Sequence, residues 1–416
     1  MLEKMKNAWR IPELRKKIVY TLGMLLVYRL LSCIPVPGID VAAVAAAVSS
    51  FSILDFMNMM TGGSFQSMTI MAMGISPYIN SSIILQLLTV AIPALEKLAK
   101  EGPEGRKKIT EYTRYLTVVM AFIQAVGLVF AMRANSYGGI WYVVIGISMA
   151  AGTALAMWIG ERITENGLGN GISLLIMAGI VSNMFTWATS AIGGIANGTV
   201  NFFAVVAILV AMLAMIVAIT YVDMGERRIP VQYAKRMVGR KMYGGQSTHI
   251  PLKLNSSGVL PLIFASSIMQ FPSTILAFFP NSGAYQWWNA HISVNSFGYQ
   301  LIFALMIFGF TFFYSSISFN PVEISKNIQN NGGMIPGIRQ GKPTSDFIKK
   351  ITTRITTFGA IYLAILAVIP TVIYAVAGVS LPFAASSLMI AVSVAMEFMR
   401  ELESQMLMRH YKGFLK

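Results

Sequence analysis

Ten long apolar segments, separated by polar gaps, make up most of this chain. They run about Ile18–Ile34, Met68–Ile92, Tyr115–Met132, Ile140–Ile159, Ile172–Ala188, Phe202–Val222, Val259–Phe279, Leu301–Phe319, Phe358–Val376 and Leu381–Met396. Apolar runs of roughly 17 to 25 residues match a hydrocarbon core of about 30 Å. The pattern therefore predicts an all-α polytopic membrane protein with ten transmembrane helices. One apolar stretch is too short to span: SFSILDFMNMMTGG, from Ser50 to Gly63. It predicts a short helix stopped by Gly62 and Gly63, either packed as a re-entrant element or lying on the outer membrane surface.

The segments divide into five and five, joined by the external stretch SAIGGIANGTVN, residues 190–201, whose Gly193, Gly194 and Gly198 suit a hinge. Because five is odd, the halves at 18–189 and 202–396 have opposite orientations, as expected of an inverted repeat about an axis in the membrane plane.

Charge fixes the threading. Of the 32 Lys and Arg residues, 30 lie in alternate gaps: 1–17, 97–114, Arg162, 227–253, 326–354 and the tail from Arg400. Short basic loops stay cytoplasmic, so both termini, segment 1–17 and tail 397–416, are expected there. A composition 55% apolar and 12% charged is too greasy for a soluble domain of 416 residues. The net charge of +15 says little by itself, since basic cytoplasmic loops produce such an excess. Segment one follows a basic stretch without a small-residue cleavage site, which predicts a retained span rather than a removable leader.

Candidate chemistry is sparse. Cys33 is the single cysteine, and His249, His291 and His410 make no metal spacing, so neither a metal nor another cofactor is expected. No GxxxxGK[ST] run is present, which leaves no recognisable nucleotide motor. Arg29 is the clear ionisable candidate within a span, and its place in the outer half predicts snorkelling to the interface. Ser82 with Gln86, and Ser266 with Gln270, put polar pairs four residues apart on one face of their spans. Such pairs serve as packing glue or as a seam between helices that part and reclose. Two cytoplasmic stretches, within 223–257 and 320–354, concentrate basic residues, and Arg227–Lys253 carries no acid. They fit RNA phosphates, an acidic protein face or anionic lipid. The non-enzymatic readings are a passive conduit driven by a partner and, as the alternative, a secondary transporter of a small polar solute.

Several long motifs carry a resemblance: YRLLSCIPVPGID at 28–40, GISPYINSSIILQLLT at 74–89, WIGERITENGLGNGISLLIMAGI at 158–180, RRIPVQYAKR at 227–236, QSTHIPLKLN at 246–255, GVLPLIFASSIMQFP at 258–272 and MEFMRE at 396–401. On these the chain resembles, over essentially its whole length, the SecY family of channel-forming subunits of the bacterial Sec translocase. The resemblance implies a central hourglass pore for unfolded polypeptides, closed by an apolar ring at Ile75, Ile79, Ile172, Ile176, Ile263 and Ile390. It implies a plug at about 54–64, with Leu54, Phe56, Met57, Met60, Gly62 and Gly63, and a lateral gate bearing Ser82, Gln86, Ser266 and Gln270. It implies docking of the SecA ATPase and the ribosome at Arg227, Arg228, Arg240, Lys241 and Arg339, with Gln340 standing where the family's loop has a proline. Expected partners are SecE, SecG, SecA, the ribosome, translocating preproteins with their signal sequences, and the lipid of the plasma membrane.

Overall fold

The computed structural model describes residues 9–40, 44, 61–131, 138–198, 201–233, 236–238, 241–243, 247–255, 257–277, 282–292, 296–377 and 385–413. Its helices are α1 (Pro12–Leu31), α2 (Ser76–Ala91), α3 (Pro93–Lys100), α4 (Pro103–Ala131), α5 (Gly139–Asn166), α6 (Gly171–Ala196), α7 (Phe202–Met224), α8 (Leu260–Ala277), α9 (Gly283–His291), α10 (Phe297–Ser318), α11 (Pro321–Asn330), α12 (Lys342–Ala377) and α13 (Ala385–Gly413). The strands are β1 (Glu226–Tyr233), β2 (Arg236–Val238), β3 (Lys241–Tyr243), β4 (Ser247–Lys253) and β5 (Gly333–Met334). Every apolar segment read from the sequence holds a helix. Among the described residues six helices are long and apolar enough to cross a membrane, or seven if the bent pair α2 and α3 is one span.

The chain forms two compact units: Met1–Ala207 with Ser267–Tyr299 and Leu381–Lys416, and Ile208–Ser266 with Gln300–Ser380. The first unit thus takes in the last helix. Helix α6 runs through Gly193 and Gly194 to Ala196, and Gly198 follows with φ +68°. Two glycines inside an otherwise apolar helix weaken it, but its remaining residues keep it going.

In the first unit, α2 and α3 meet at 101° because Pro93 follows Ile92. Proline pushes the preceding residue out of the helical region and supplies no donor; Ile92 is extended at φ −106°, ψ 114°. Residues 61–75 form turns rather than the start of a span, a departure from the helix expected to open at Met68. Their Phe65, Met68, Ala72 and Met73 are buried with Ala125, Leu128 and Val129 of α4 and Ile145 and Met149 of α5. Backbone bonds from Val36 N–H to Met68 O and from Ile70 N–H to Ile34 O, each 2.9 Å, tie this run to the end of α1. Glycines on α5 let it come close: a Cβ on Gly152 would stand 1.9 Å from the Ile70 carbonyl oxygen. A Cβ on Gly171, where α6 begins, would stand 2.0 Å from the Gly160 carbonyl oxygen.

At the other end of α1, Leu14, Leu168 and Leu402 form a buried cluster flanked by Phe398. The Leu168 N–H donates to Thr21 Oγ1 at 3.1 Å, and Lys17 Nζ donates to Gln405 Oε1 at 3.2 Å. The start of α1 and the middle of α13 are thereby fastened to the link that precedes α6.

The second unit corrects the expectation of an all-α chain. Its two basic stretches fold together: β1 pairs antiparallel with β4, from Glu226 opposite Lys253 to Gln232 opposite Ser247, and with β5 at Gln232–Met334 and Tyr233–Gly333. Ile229 and Val231 alternate inward along β1 and join Leu252, Ile328, Ile335, Ile348 and Ile355 in one core. The stretch expected as a loop at 320–354 is mostly α11 and the first turns of α12, linked by 331–341. Ser315 Oγ and Thr356 Oγ1, 2.8 Å apart and buried, join α10 to α12.

Gly152→Ala places a methyl group against a carbonyl that cannot retreat, so it is expected to cost about 1–3 kcal/mol of overpacking. A lowered thermal midpoint of the purified protein checks this, and an unchanged midpoint contradicts the close approach.

Candidate functional site

The first unit contains a small pocket lined by Tyr28, Thr61, Gly74, Ile75, Ser76, Ile79, Leu175 and Ile176. Three of the six ring isoleucines meet there. Ile75 caps α2 and is 5% exposed, and the Ile79 N–H donates to its carbonyl at 3.1 Å, so the two lie one turn apart on the same face. Ile172 and Ile176 sit in the first two turns of α6. That end is fixed by Asn170, whose Oδ1 accepts from the Ile172 and Ser173 N–H groups at 3.1 and 3.3 Å. Ile172 leans on α5, where a Cβ on Gly160 would approach it to 3.0 Å. Ile390 is buried on α13, which packs along α6. Ile263 lies on α8 and is half-buried. Isoleucine offers bulk without polar atoms, and the same pocket also carries the hydroxyl-bearing residues Tyr28, Thr61 and Ser76.

Tyr28, Thr61, Gly74, Ser76 and Leu175 complete the lining and were not singled out from the sequence. Gly74 is at φ +52°, where a Cβ would meet Thr61 Cγ2 at 3.1 Å. The sharp turn before α2, which aims Ile75 at the cavity, needs that glycine.

Of the expected plug residues, Leu54, Phe56, Met57 and Met60 lie outside the described residues. Gly62 and Gly63 have φ +68° and +88°, consistent with the sharp return read from the sequence. Arg29 corrects the expectation of snorkelling. It is half-buried, its Nη2 donates to the Ala178 carbonyl of α6, and its guanidinium carbon lies 5.9 Å from the centre of the Tyr28 ring. A carbonyl exposed beside the small residues Ala178 and Gly179 competes successfully with distant water. The guanidinium turns inward as a result.

Ser82 and Gln86 are half-buried on α2. Fully buried Ser81 bonds back to the Pro77 carbonyl at 2.8 Å. Ser266 likewise donates to the Ile263 carbonyl of its own helix at 2.9 Å, and Gln270 lies in α8. The basic candidates fall in the second unit. Arg227 and Arg228 are exposed at the start of β1, with Arg228 Nη2 2.6 Å from Glu226 Oε1. Arg240 lies outside the described residues, and Lys241 opens β3 opposite Val238. Arg339 is exposed on the link 331–341, which is pinned at three points. Gln340 Nε2 donates to Gly333 O, Ser325 Oγ to Gly341 O, both at 2.9 Å, and Thr344 Oγ1 to Arg339 O at 2.8 Å. Gln340 therefore stiffens by hydrogen bonding the loop in which a proline was expected. Among the described residues no group of three or more His, Cys, Asp or Glu could hold a metal ion.

A family model described as SecY matches residues 69–399. Protein translocase subunit SecY of Streptomyces galbus is 43% identical over 440 residues, with 100% of both chains covered. Among solved structures, one described as a protein conducting channel superposes with a TM-score of 0.70 at 20% identity, over 94% of this chain and 92% of that one. Sec61 in the canine ribosome-channel complex from the endoplasmic reticulum gives 0.64 at 18% identity, over 94% and 92%.

Replacing Asn170 by Ala removes the acceptor for two N–H groups at the start of α6 and is expected to cost about 0.5–2 kcal/mol. Thermal unfolding of the variant checks it; a midpoint equal to that of the unsubstituted protein contradicts the cap.

Proposed function

The chain belongs to the SecY family and is a multi-pass membrane protein serving as a protein-translocation channel; we propose that its ten apolar segments cross the plasma membrane as two inverted five-helix halves around an hourglass pore. Both termini and both basic stretches face the cytoplasm in this reading. The alternation of basic gaps supports that threading. Family membership gives a channel, and the rival reading as a small-solute transporter is not favoured; in our reading the chain carries out no catalysis of its own.

One observation carries the assignment of the pore: Ile75, Ile79 and Ile176, from separate parts of the sequence, line one cavity. With Ile172, Ile263 and Ile390 they form the ring. An isoleucine collar yields sideways around a chain of any sequence and closes again by apolar contact. Residues 54–64, including Leu54, Phe56, Met57, Met60, Gly62 and Gly63, act as the plug. Ser82, Gln86, Ser266 and Gln270 line the lateral gate, through which signal sequences and membrane spans pass into lipid. The closure there rests on polar contacts of about 0.6–2 kcal/mol each. SecE and SecG brace the subunit.

Energy comes from outside the chain, from SecA or from translation. The Sec61 relative sits in a ribosome-channel complex, and the joined sheet of β1, β4 and β5 brings Arg227 and Arg228 into one fold with the link bearing Arg339. We assign this surface, with Arg240 and Lys241, to SecA and to ribosomal RNA. Exposed guanidinium groups suit phosphates and carboxylates alike.

A polypeptide stalled during translocation is expected to crosslink to probes at positions 75, 172, 263 and 390, and not to probes on the outward face of α7. The absence of adducts at all four positions would overturn the pore assignment. Arg339→Glu is expected to abolish SecA-driven export while the protein still assembles in the membrane. Export at the normal rate would remove Arg339 from the docking surface.

A further inference from the structure

Arg29 is the one cation of the first apolar segment, and its surroundings are built. Gly62 has φ +68°, and a Cβ there would lie 2.6 and 2.7 Å from Arg29 Nη2 and Nη1 and 2.8 Å from the Gly179 carbonyl oxygen. The space where a Gly62 side chain would stand is therefore filled by the Arg29 guanidinium and the backbone of α6. The same guanidinium donates to the Ala178 carbonyl. Its neighbours in sequence reach the collar directly: Tyr28 precedes Arg29, Thr61 precedes Gly62, and both line the cavity with Ile75, Ile79 and Ile176. Three stretches of chain, α1, the run beginning at Thr61 and α6, thus converge on one planar cation.

We propose that Arg29 is a positioning residue for the closed channel, holding the Gly62 turn against α6 so that the run 61–75 stays seated beside the isoleucine collar. A guanidinium suits the task for two reasons. Its fork of N–H groups reaches the Ala178 carbonyl while both terminal nitrogens fill the side of Gly62 left open by the missing side chain, which the single ammonium of lysine cannot reproduce. A neutral carbonyl also holds the cation less tightly than a buried carboxylate would, so the latch opens without leaving an uncompensated anion behind. Opening separates Gly62 from α6, and the guanidinium is then free to turn to the water that enters the funnel.

The inference rests on reading the collar as a closed barrier, and the test separates the two. Channels carrying Arg29→Met, Arg29→Lys, Gly62→Ala, the Arg29→Met and Gly62→Ala pair, or Ile176→Asn are reconstituted with their partner subunits in vesicles. Ion leak without precursor is recorded, along with export of a precursor that has a defective signal sequence. Arg29→Met and Gly62→Ala are each expected to raise the idle leak by about tenfold, the scale of one charge-assisted hydrogen bond, and to relax signal selection. The pair is expected to do no more than either alone, and Arg29→Lys to restore part of the seal. Thermal midpoints recorded alongside distinguish a loosened latch from a damaged fold. An Arg29→Met leak equal to that of the unsubstituted channel, with Ile176→Asn leaking, overturns the latch and leaves the collar standing. Unchanged leak in both overturns the collar and the latch together. Additive effects of Arg29→Met and Gly62→Ala overturn the coupling between those two residues and with it the latch.

Discussion

The interior of a bilayer offers backbone groups no hydrogen-bond partner, so any stretch that is neither helix nor closed sheet must be enclosed by protein. Residues 61–75 are such a stretch, and packing encloses them. Their N–H and carbonyl groups find partners within the run and at Ile34 and Val36. Their side chains fill the space between α4 and α5. What makes room is the missing side chain of Gly152, which lets α5 touch the Ile70 carbonyl. The end of the run then sets Ile75 on the cavity. A small residue on one helix, a buried irregular backbone and the pocket at Ile75 form a single chain of cause.

The spans were legible because length and greasiness are local properties that lipid reads segment by segment. The sheet of the second unit was not, although its signal is in the sequence: Ile229 with Val231, and Ile250 with Leu252, alternate with polar neighbours. Charge and Pro230 masked it. Proline is disfavoured within a sheet, but β5 pairs only with Gln232 and Tyr233, leaving the other edge of β1 open at Pro230. The two basic stretches are more than 70 residues apart by number, and no local pattern announces that β1 and β5 join them.

At the pocket, spacing made Ile75 with Ile79 and Ile172 with Ile176 readable as pairs on one face. It could not make the two pairs neighbours. Resemblance supplied that, and the cavity brings Ile75, Ile79 and Ile176 together. Arg29 was misread because depth in the membrane was weighed and the local supply of acceptors was not. Ala178 and Gly179 expose backbone where bulkier residues would cover it, and only packing reveals that this patch lies opposite Arg29.

Beneath α6, Leu14 and Leu402 close on Leu168, and Lys17 reaches Gln405 across 388 positions of sequence. Those contacts join α1 to α13, which stand far apart in the sequence. The packing around the start of α6 therefore stays incomplete until α13 has been synthesised, and a chain cut short before α13 lacks it.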